Sequence, residues 1–235
     1  MAKITKEKFK TYEGVFDAFT NKNLFKLISQ GHFEGLGGPI SIGKEANVFS
    51  AIKKDKSKVA VKIYRLETCD FNKMYEYIKY DSNFMHITKQ RRKVIFAWAK
   101  REFTNLIKIR QLGIRVPKPI TVLNNILVME FIGNKEPAPK IKDSIPKNPD
   151  KIFKKIVKYM KKLNDNNYVH ADLSEFNILN HNNEPVFIDV SQATTLENQQ
   201  TKEFIKRDIK NMAKFFNKYS DKIKEEDIKK ELKIE

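Results

Sequence analysis

The strongest constraint on the fold is a change of hydrophobic period along the chain. Two apolar, β-branched runs, 48–52 and 59–64, flank the polar Lys53-Lys54-Asp55-Lys56-Ser57-Lys58 and predict an antiparallel hairpin. A second strand pair is predicted over 120–132 around Asn124-Asn125. After a Pro-rich, irregular stretch at 133–149 the period becomes helical. Ile152, Phe153, Ile156, Val157, Tyr159 and Met160 make the apolar stripe of a strongly basic helix running from Pro149 to about Asn164. Short strands at 177–179 and 186–190 then surround His181-Asn182-Asn183-Glu184, and helices are predicted over 198–219 and 222–233. A strand-rich half followed by a helical half is an α+β architecture in two lobes.

The remaining segments complete this outline. Residues 1–31 read as two short amphipathic helices, the second capped by Thr20 and ended by Gly31. Gly35, Gly37, Gly38, Pro39 and Gly43 read as a glycine-punctuated connection leading into a turn. Residues 66–90 have weak periodicity and are expected to form a long loop, which in a compact domain is functional or conceals an element. Residues 91–112 predict one helix, with Val94, Ile95, Trp98, Phe103, Leu106 and Ile109 facing inward.

Chemistry-bearing residues fall in an ordered series on this outline. His170-Ala171-Asp172-Leu173-Ser174-Glu175-Phe176-Asn177 lies between a helix and a strand, so it is a loop, and its Asp and Asn stand five residues apart. That spacing lets one loop aim a carboxylate at a nucleophile and an amide oxygen at a metal, as in the D-x-x-x-x-N of kinase catalytic loops. A capped polar turn would use the same residue types. Asp189 ends the strand Phe187-Ile188-Asp189-Val190, 17 residues beyond Asp172 (189 − 172), where a metal-binding carboxylate would sit. Val59-Ala60-Val61-Lys62 matches the strand lysine motif that neutralises nucleotide phosphates, and Glu102 on the following helix is its natural partner. A solvated strand lysine is the plainer reading of Lys62. Gly43-Lys44-Glu45-Ala46-Asn47-Val48 forms a turn able to present backbone N–H groups to phosphate, though it has no G-x-G-x-x-G. Val128-Met129-Glu130-Phe131-Ile132-Gly133, between the lobes, would offer the Glu130 carbonyl and the Ile132 amide to an adenine edge.

Ser41-Ile42-Gly43-Lys44-Glu45-Ala46-Asn47-Val48-Phe49, the 127–133 run, the 170–177 loop and Ile188-Asp189-Val190-Ser191-Gln192 together resemble the RIO family of atypical kinases, and its Rio1 branch in particular. The resemblance covers about 38–216. It implies a two-lobed, trimmed protein-kinase-like fold, with an antiparallel sheet and one long helix in the N-lobe, a mainly helical C-lobe and no activation segment. The corresponding division is 1–32 for N-terminal helices packing on the kinase domain, 33–132 for the N-lobe with a flexible loop at about 66–90, and 133–235 for the C-lobe.

The resemblance also implies roles. Asp172 is the catalytic base, and Asn177 and Asp189 are the Mg²⁺ ligands, with Mn²⁺ able to substitute. Lys62 binds ATP phosphates, with Glu102 as its partner and with Ser41 and Lys44 in the phosphate turn. Glu130 and Ile132 bind adenine through their backbone. Asp189 is a possible aspartyl-phosphate acceptor. The implied activity is that of a serine/threonine protein kinase, with ATPase activity, acting in maturation of the small ribosomal subunit. Autophosphorylation is expected among Thr68, Ser82 and Thr88. Ile42 stands where the family usually has Thr, so a hydroxyl contact to phosphate is lost there. A ribosome-assembly binding module that uses ATP only as a conformational switch stays open as an alternative. A small-molecule phosphotransferase sharing H-x-D-x4-N fits the 174–176 and 188–192 runs less well.

Charge and cysteine content agree with these expectations. The formal net charge is +17, a field that attracts phosphate-rich partners such as a pre-ribosomal particle, although a lysine-rich solvated surface gives the same number. Cys69 is the single cysteine, so neither an intrachain disulfide nor a Cys-based metal site can form. No run approaches the ~20 apolar residues of a membrane span. A soluble, cytoplasmic chain is expected.

Overall fold

The computed structural model describes residues 16–81, 84, 86–197, 200–220 and 223–234. Its contacts cluster into two compact units: residues up to 79, 86–100 and 119–131 form the first, and 80–85, 101–118 and 132 onward the second.

The first unit is built on a five-stranded antiparallel sheet with the order β1-β2-β3-β5-β4. The strands are β1 (Gly35–Ile42), β2 (Ala46–Ile52), β3 (Lys58–Tyr64), β4 (Pro119–Leu123) and β5 (Ile126–Glu130). Because side chains alternate across a strand, Val59, Val61 and Ile63 of β3 reach one face and Ala60, Lys62 and Tyr64 the other. The first set joins Phe49, Ala51, Ile126 and Val128 in a core closed by Leu24, Leu27 and Ile28 of α1 (Ala18–Ser29) and by Phe33. All of β3 except Lys58 is buried, as a central strand should be.

Three expectations are corrected here. Helix α1 begins at Ala18 rather than after Thr20: the Asp17 carboxylate accepts from the Phe19 and Thr20 amides at 3.0 Å each, and the Thr20 hydroxyl donates to Asp17 Oδ2 at 2.7 Å. The glycine-punctuated stretch is itself a strand, β1. As an edge strand it tolerates Pro39 and two register irregularities, which erase the alternation that marks a strand. The segment 66–90 is not all loop, since Phe71–Ile78 forms α2, with Met74 and Ile78 buried and the Asp70 side chain capping at Lys73 N. Its eight residues give too few turns for a clear period. Of the first expected N-terminal helix, the residues up to 15 lie outside the described residues, as does Ser82, and Phe19 falls within α1.

Helix α3 (Arg91–Gln111) contributes to both units. In the second unit, α4 (Pro149–Asp165) buries the stripe read from the sequence, α5 (Thr201–Phe216) packs Phe216 against Phe153 at 5.3 Å, and α6 (Glu225–Leu232) follows. The small strands β6 (Tyr168–Val169) and β9 (Thr194–Thr195) pair, as do β7 (Ile178–His181) and β8 (Glu184–Phe187). Asn182 and Asn183 both have positive φ, 56° and 60°, which gives the β7–β8 hairpin the primed turn that matches strand twist. No helix among the described residues is long and apolar enough to cross a membrane.

Candidate active site

In the second unit the β7–β8 hairpin sets the register of the site. Ile178 pairs with Phe187, and the Ile188 amide donates to the Asn177 carbonyl at 3.0 Å, so the pairing extends one step past the strands. Asn177 therefore opens the hairpin and Asp189 leaves it at the same end. The Asn177 amide nitrogen donates to the Asp172 carbonyl at 2.9 Å and to its carboxylate Oδ2 at 3.1 Å. Its amide nitrogen is thus committed to the loop, which leaves the amide oxygen as the atom Asn177 can offer a ligand.

Two backbone positions of this loop are unusual. Ala171 (φ 64°) and Asp189 (φ 56°) are left-handed, a conformation that costs a non-glycine residue about 1–2 kcal/mol and persists only where surrounding contacts fix it. At Ala171 those contacts come from α5. Buried Asp208 accepts from the Ala171 amide at 3.0 Å and the Leu173 amide at 2.9 Å, Arg207 donates to the Ala171 carbonyl, and Asn211 donates to the Leu173 carbonyl at 3.0 Å. Asp172 is held from both sides by this clasp.

At Asp189 the fixing contacts come from α3. Asn105 donates to the carbonyls of Val190 (2.8 Å) and Ala193 (2.9 Å), Arg101 donates to the Ala193 carbonyl at 3.2 Å, and the Tyr168 hydroxyl donates to Asn105 at 2.6 Å. The Ser191 hydroxyl donates to Asp189 Oδ1 at 3.1 Å. Arg101, with 1 % side-chain exposure, also stands 3.4 Å from the Asp81 carboxylate, so its buried charge is compensated.

Burial strongly displaces the titrations of Asp208 and His170. The Asp208 carboxyl is pushed up to about 8, opposed by its two amide donors and by Arg207. His170, packed edge-on to Phe187 with Nε2 3.2 Å from the Ile188 carbonyl, is pushed down to about 4, opposed by Asp189. The imidazole is therefore neutral and donates from Nε2, a structural tie between the 170–177 loop and the segment that leads to Asp189. Because its folded pKa lies below 6.5, the stability it contributes is present above pH 6.5 and is lost as pH falls toward 4. In urea melts the stability advantage of the wild type over His170→Gln is expected to shrink from pH 7 to pH 5. A constant difference would refute the neutral, buried imidazole.

In the first unit Lys62 stands mid-strand, opposite Val48 of β2 and Leu127 of β5, buried at 7 % exposure with its ammonium 5.1 Å from the Tyr64 ring centroid. A buried lysine on a central strand is not the solvated one of the plainer reading. The Gly43 amide donates to the Ala46 carbonyl at 3.1 Å and closes the turn. Ser41 is half-buried and pairs with Val48, and Lys44 is exposed at the tip. Ile42, where the resemblance expects Thr, is 61 % exposed. Glu130 ends β5 and pairs with Val59.

Ile132 and Glu102 belong to the second unit and are buried. The Ile132 carbonyl accepts from the Ala138 amide at 2.9 Å. At Gly133 (φ 149°) a Cβ would lie 2.2 Å from the Glu136 carbonyl oxygen, so only glycine fits after Ile132. Lys62 and Glu102 fall in different units.

The structure thus brings Asp172, Asn177 and the Asp189 strand into one hydrogen-bonded assembly. The residues that sequence reasoning missed are Asp208, Asn105, Arg101, Arg207 and Asn211. One signal was available: Asp208 occupies an apolar position of its helix, four after Phe204 and four before Met212.

An antiparallel sheet with a buried strand lysine, together with a helical unit that clips a loop Asp to an Asn five residues on and hangs a second Asp from the next hairpin, defines the protein-kinase-like class. The RIO domain family model matches residues 47–230. The chain is 41% identical over 213 residues to the RIO-type serine/threonine-protein kinase Rio1 of Haloferax volcanii, covering 90% of this chain and 73% of that one. It is 42% identical to the Rio1 of Methanocaldococcus jannaschii with the same coverages, and 35% identical to human RIO1 over 89% of this chain but 38% of the longer human protein. The fold resembles the Rio2 kinase–ADP/Mg²⁺–phosphoaspartate complex of Chaetomium thermophilum, with TM-score 0.69 and 20% identity, over 89% of this chain and 65% of that one. The chain belongs to the RIO family, and its relatives place it on the Rio1 side.

Proposed function

We propose that this chain is a Mg²⁺-ATP-dependent serine/threonine protein kinase of the Rio1 type, able also to hydrolyse ATP. The observation that carries the proposal is the Asn177 amide clipped to Asp172 while its backbone pairs with the strand that delivers Asp189. Asp172 accepts the proton of the attacking hydroxyl. The hydroxyl oxygen bonds to the γ-phosphorus as the bond to the β,γ-bridging oxygen breaks, and ADP leaves. Lys62 balances phosphate charge with Glu102 as its partner, Ser41 and Lys44 flank the phosphate turn, and the Glu130 carbonyl and Ile132 amide hold adenine.

The donor set at the loop fits a magnesium ion. No cluster of three His, Cys, Asp or Glu side chains occurs among the described residues, whereas Asp189 with the Asn177 amide oxygen supplies the few hard oxygens that Mg²⁺ takes from protein when phosphates complete its shell. Bound there by Asn177 and Asp189, Mg²⁺ (or Mn²⁺) would neutralise charge developing on the phosphate oxygens. With no external acceptor, the Asp189 carboxylate can attack the γ-phosphorus itself as the bond to the β,γ-bridging oxygen breaks and ADP leaves, and water then hydrolyses the aspartyl phosphate to inorganic phosphate and the free carboxylate. The +17 charge supports a phosphate-rich partner, and we place the chain in small-subunit maturation on a pre-ribosomal particle, in the cytoplasm.

The test is the fate of γ-labelled phosphate. Label on the protein that hydroxylamine removes, and that Asp189→Asn abolishes, marks the aspartyl-phosphate cycle. Label stable to hydroxylamine on Thr68, Ser82 or Thr88 marks hydroxyl transfer; Thr68 and Thr88 are both exposed. The absence of both labelled protein and released phosphate would overturn the reading.

A further inference from the structure

We infer that the exposed ridge of α5 is a docking surface for an acidic segment of a protein substrate, seated beside the catalytic loop. The inference rests on the kinase reading. Lys206, Lys210 and Lys214 recur every four residues and are all exposed, so they form one ridge about 12 Å long at 1.5 Å per residue. Their ammonium groups contact no carboxylate among the described residues. Glu203 is the sole acidic residue at an exposed position of the helix.

The same helix grips the loop that carries Asp172. Arg207 donates to the Ala171 carbonyl and Asn211 to the Leu173 carbonyl, and these two residues alternate with Lys206 and Lys210. The charges therefore begin within one helical turn of the groups that fix Asp172. Helix α4 differs: Lys155 is tied to Glu184, Lys161 to the Glu231 carbonyl and Lys162 to the Leu112 carbonyl. Nothing on α4 is anchored to the 171–173 loop by a side-chain hydrogen bond among the described residues. A ridge tied to the proton-accepting loop fits a peptide that must place a hydroxyl there, and 12 Å spans about four residues of extended chain. The ridge thus favours Asp or Glu within about four positions of the phosphoacceptor.

The experiment is fluorescence anisotropy with the full chain at low salt. The probe is a labelled peptide of one Ser within a run of Asp and Glu, and its comparator has Asn and Gln in their place. The acidic peptide should bind at least about tenfold more tightly. The Lys206→Glu/Lys210→Glu/Lys214→Glu variant should lose about tenfold or more, while the charge-matched Lys151→Glu/Lys154→Glu/Lys158→Glu control on α4 loses under about threefold. Equal binding of the two peptides, or equal losses in the two variants, overturns the inference. So does an oligoribonucleotide that binds more tightly than the peptide and tracks the α5 variant, since RNA would then be the occupant. The readout is binding, so a failure of phosphoryl transfer would sink the kinase reading while leaving this result distinct from it.

Discussion

Asp172→Asn is expected to lower ATP-dependent phosphoryl transfer by about 10²- to 10⁴-fold, the usual worth of a positioned general base. The structure makes this a clean substitution. Asn177 donates to both the Asp172 carbonyl and its Oδ2, and an Asn at 172 still presents a main-chain carbonyl and a side-chain oxygen to that amide. The loop is also held independently by Asp208, Arg207 and Asn211, none of which touches the Asp172 side chain through these bonds. Thermal midpoints of variant and wild type should therefore agree within about 2 °C, less than the shift produced by 1 kcal/mol in a chain this size. Turnover is followed as released or transferred label, with nucleotide affinity measured separately. A variant that melts normally, binds nucleotide and still turns over within threefold of wild type would remove Asp172 from the role of base.

What the sequence made legible follows from how local each signal is. Asp172, Asn177 and Asp189 are linked by one loop and one hairpin. Their spacing alone encodes the register that the Ile178–Phe187 pairing then realises. The central strand bearing Lys62 was readable for the same reason, because a short run that is apolar at every position from 59 to 64 except Lys62 declares a strand covered on both faces. Strand β1 was not, since Gly35, Gly37, Gly38 and Pro39 erase the alternation that marks a strand, and only its pairing with β2 defines it. Helix α2 is too short for its period to stand out, and Asp17 rather than Thr20 caps α1 because a carboxylate can accept from two amides at once. The supports of the site were the least legible. Asn105 reaches 85 residues along the chain to Val190, and Asp208 reaches 37 back to Ala171, distances at which no motif operates.

Those supports carry the second large effect. Asp208→Ala leaves the buried Ala171 and Leu173 amides without their acceptor, at about 1–3 kcal/mol for each unsatisfied group, and adds the cost of a small cavity. A loss of about 2–5 kcal/mol in unfolding free energy is expected, with a fall in phosphoryl transfer as the strained Ala171 relaxes and Asp172 loses its aim. Asp208→Asn keeps one accepting oxygen and should fall between Ala and wild type on both readouts.

The titration of Asp208 gives a further separation. Its folded pKa of about 8 lies above the ordinary 3.8, so between about pH 4 and pH 8 the native state holds a proton that the unfolded chain has released. The stability this group contributes falls as pH rises through that window and is gone above 8. His170 acts in the opposite sense and only below pH 6.5, and burial raises the Cys69 thiol equally in both proteins, so from pH 7 to pH 9 the difference between wild type and Asp208→Asn reports Asp208. Urea midpoints of the wild type should drop further across that interval than those of Asp208→Asn. If both proteins lose the same stability from pH 7 to pH 9, Asp208 is ionised throughout, and its two amides and Arg207 outweigh its burial. If Asp208→Ala unfolds easily yet turns over normally when folded, the clasp serves the fold and Asp172 is aimed by Asn177 alone.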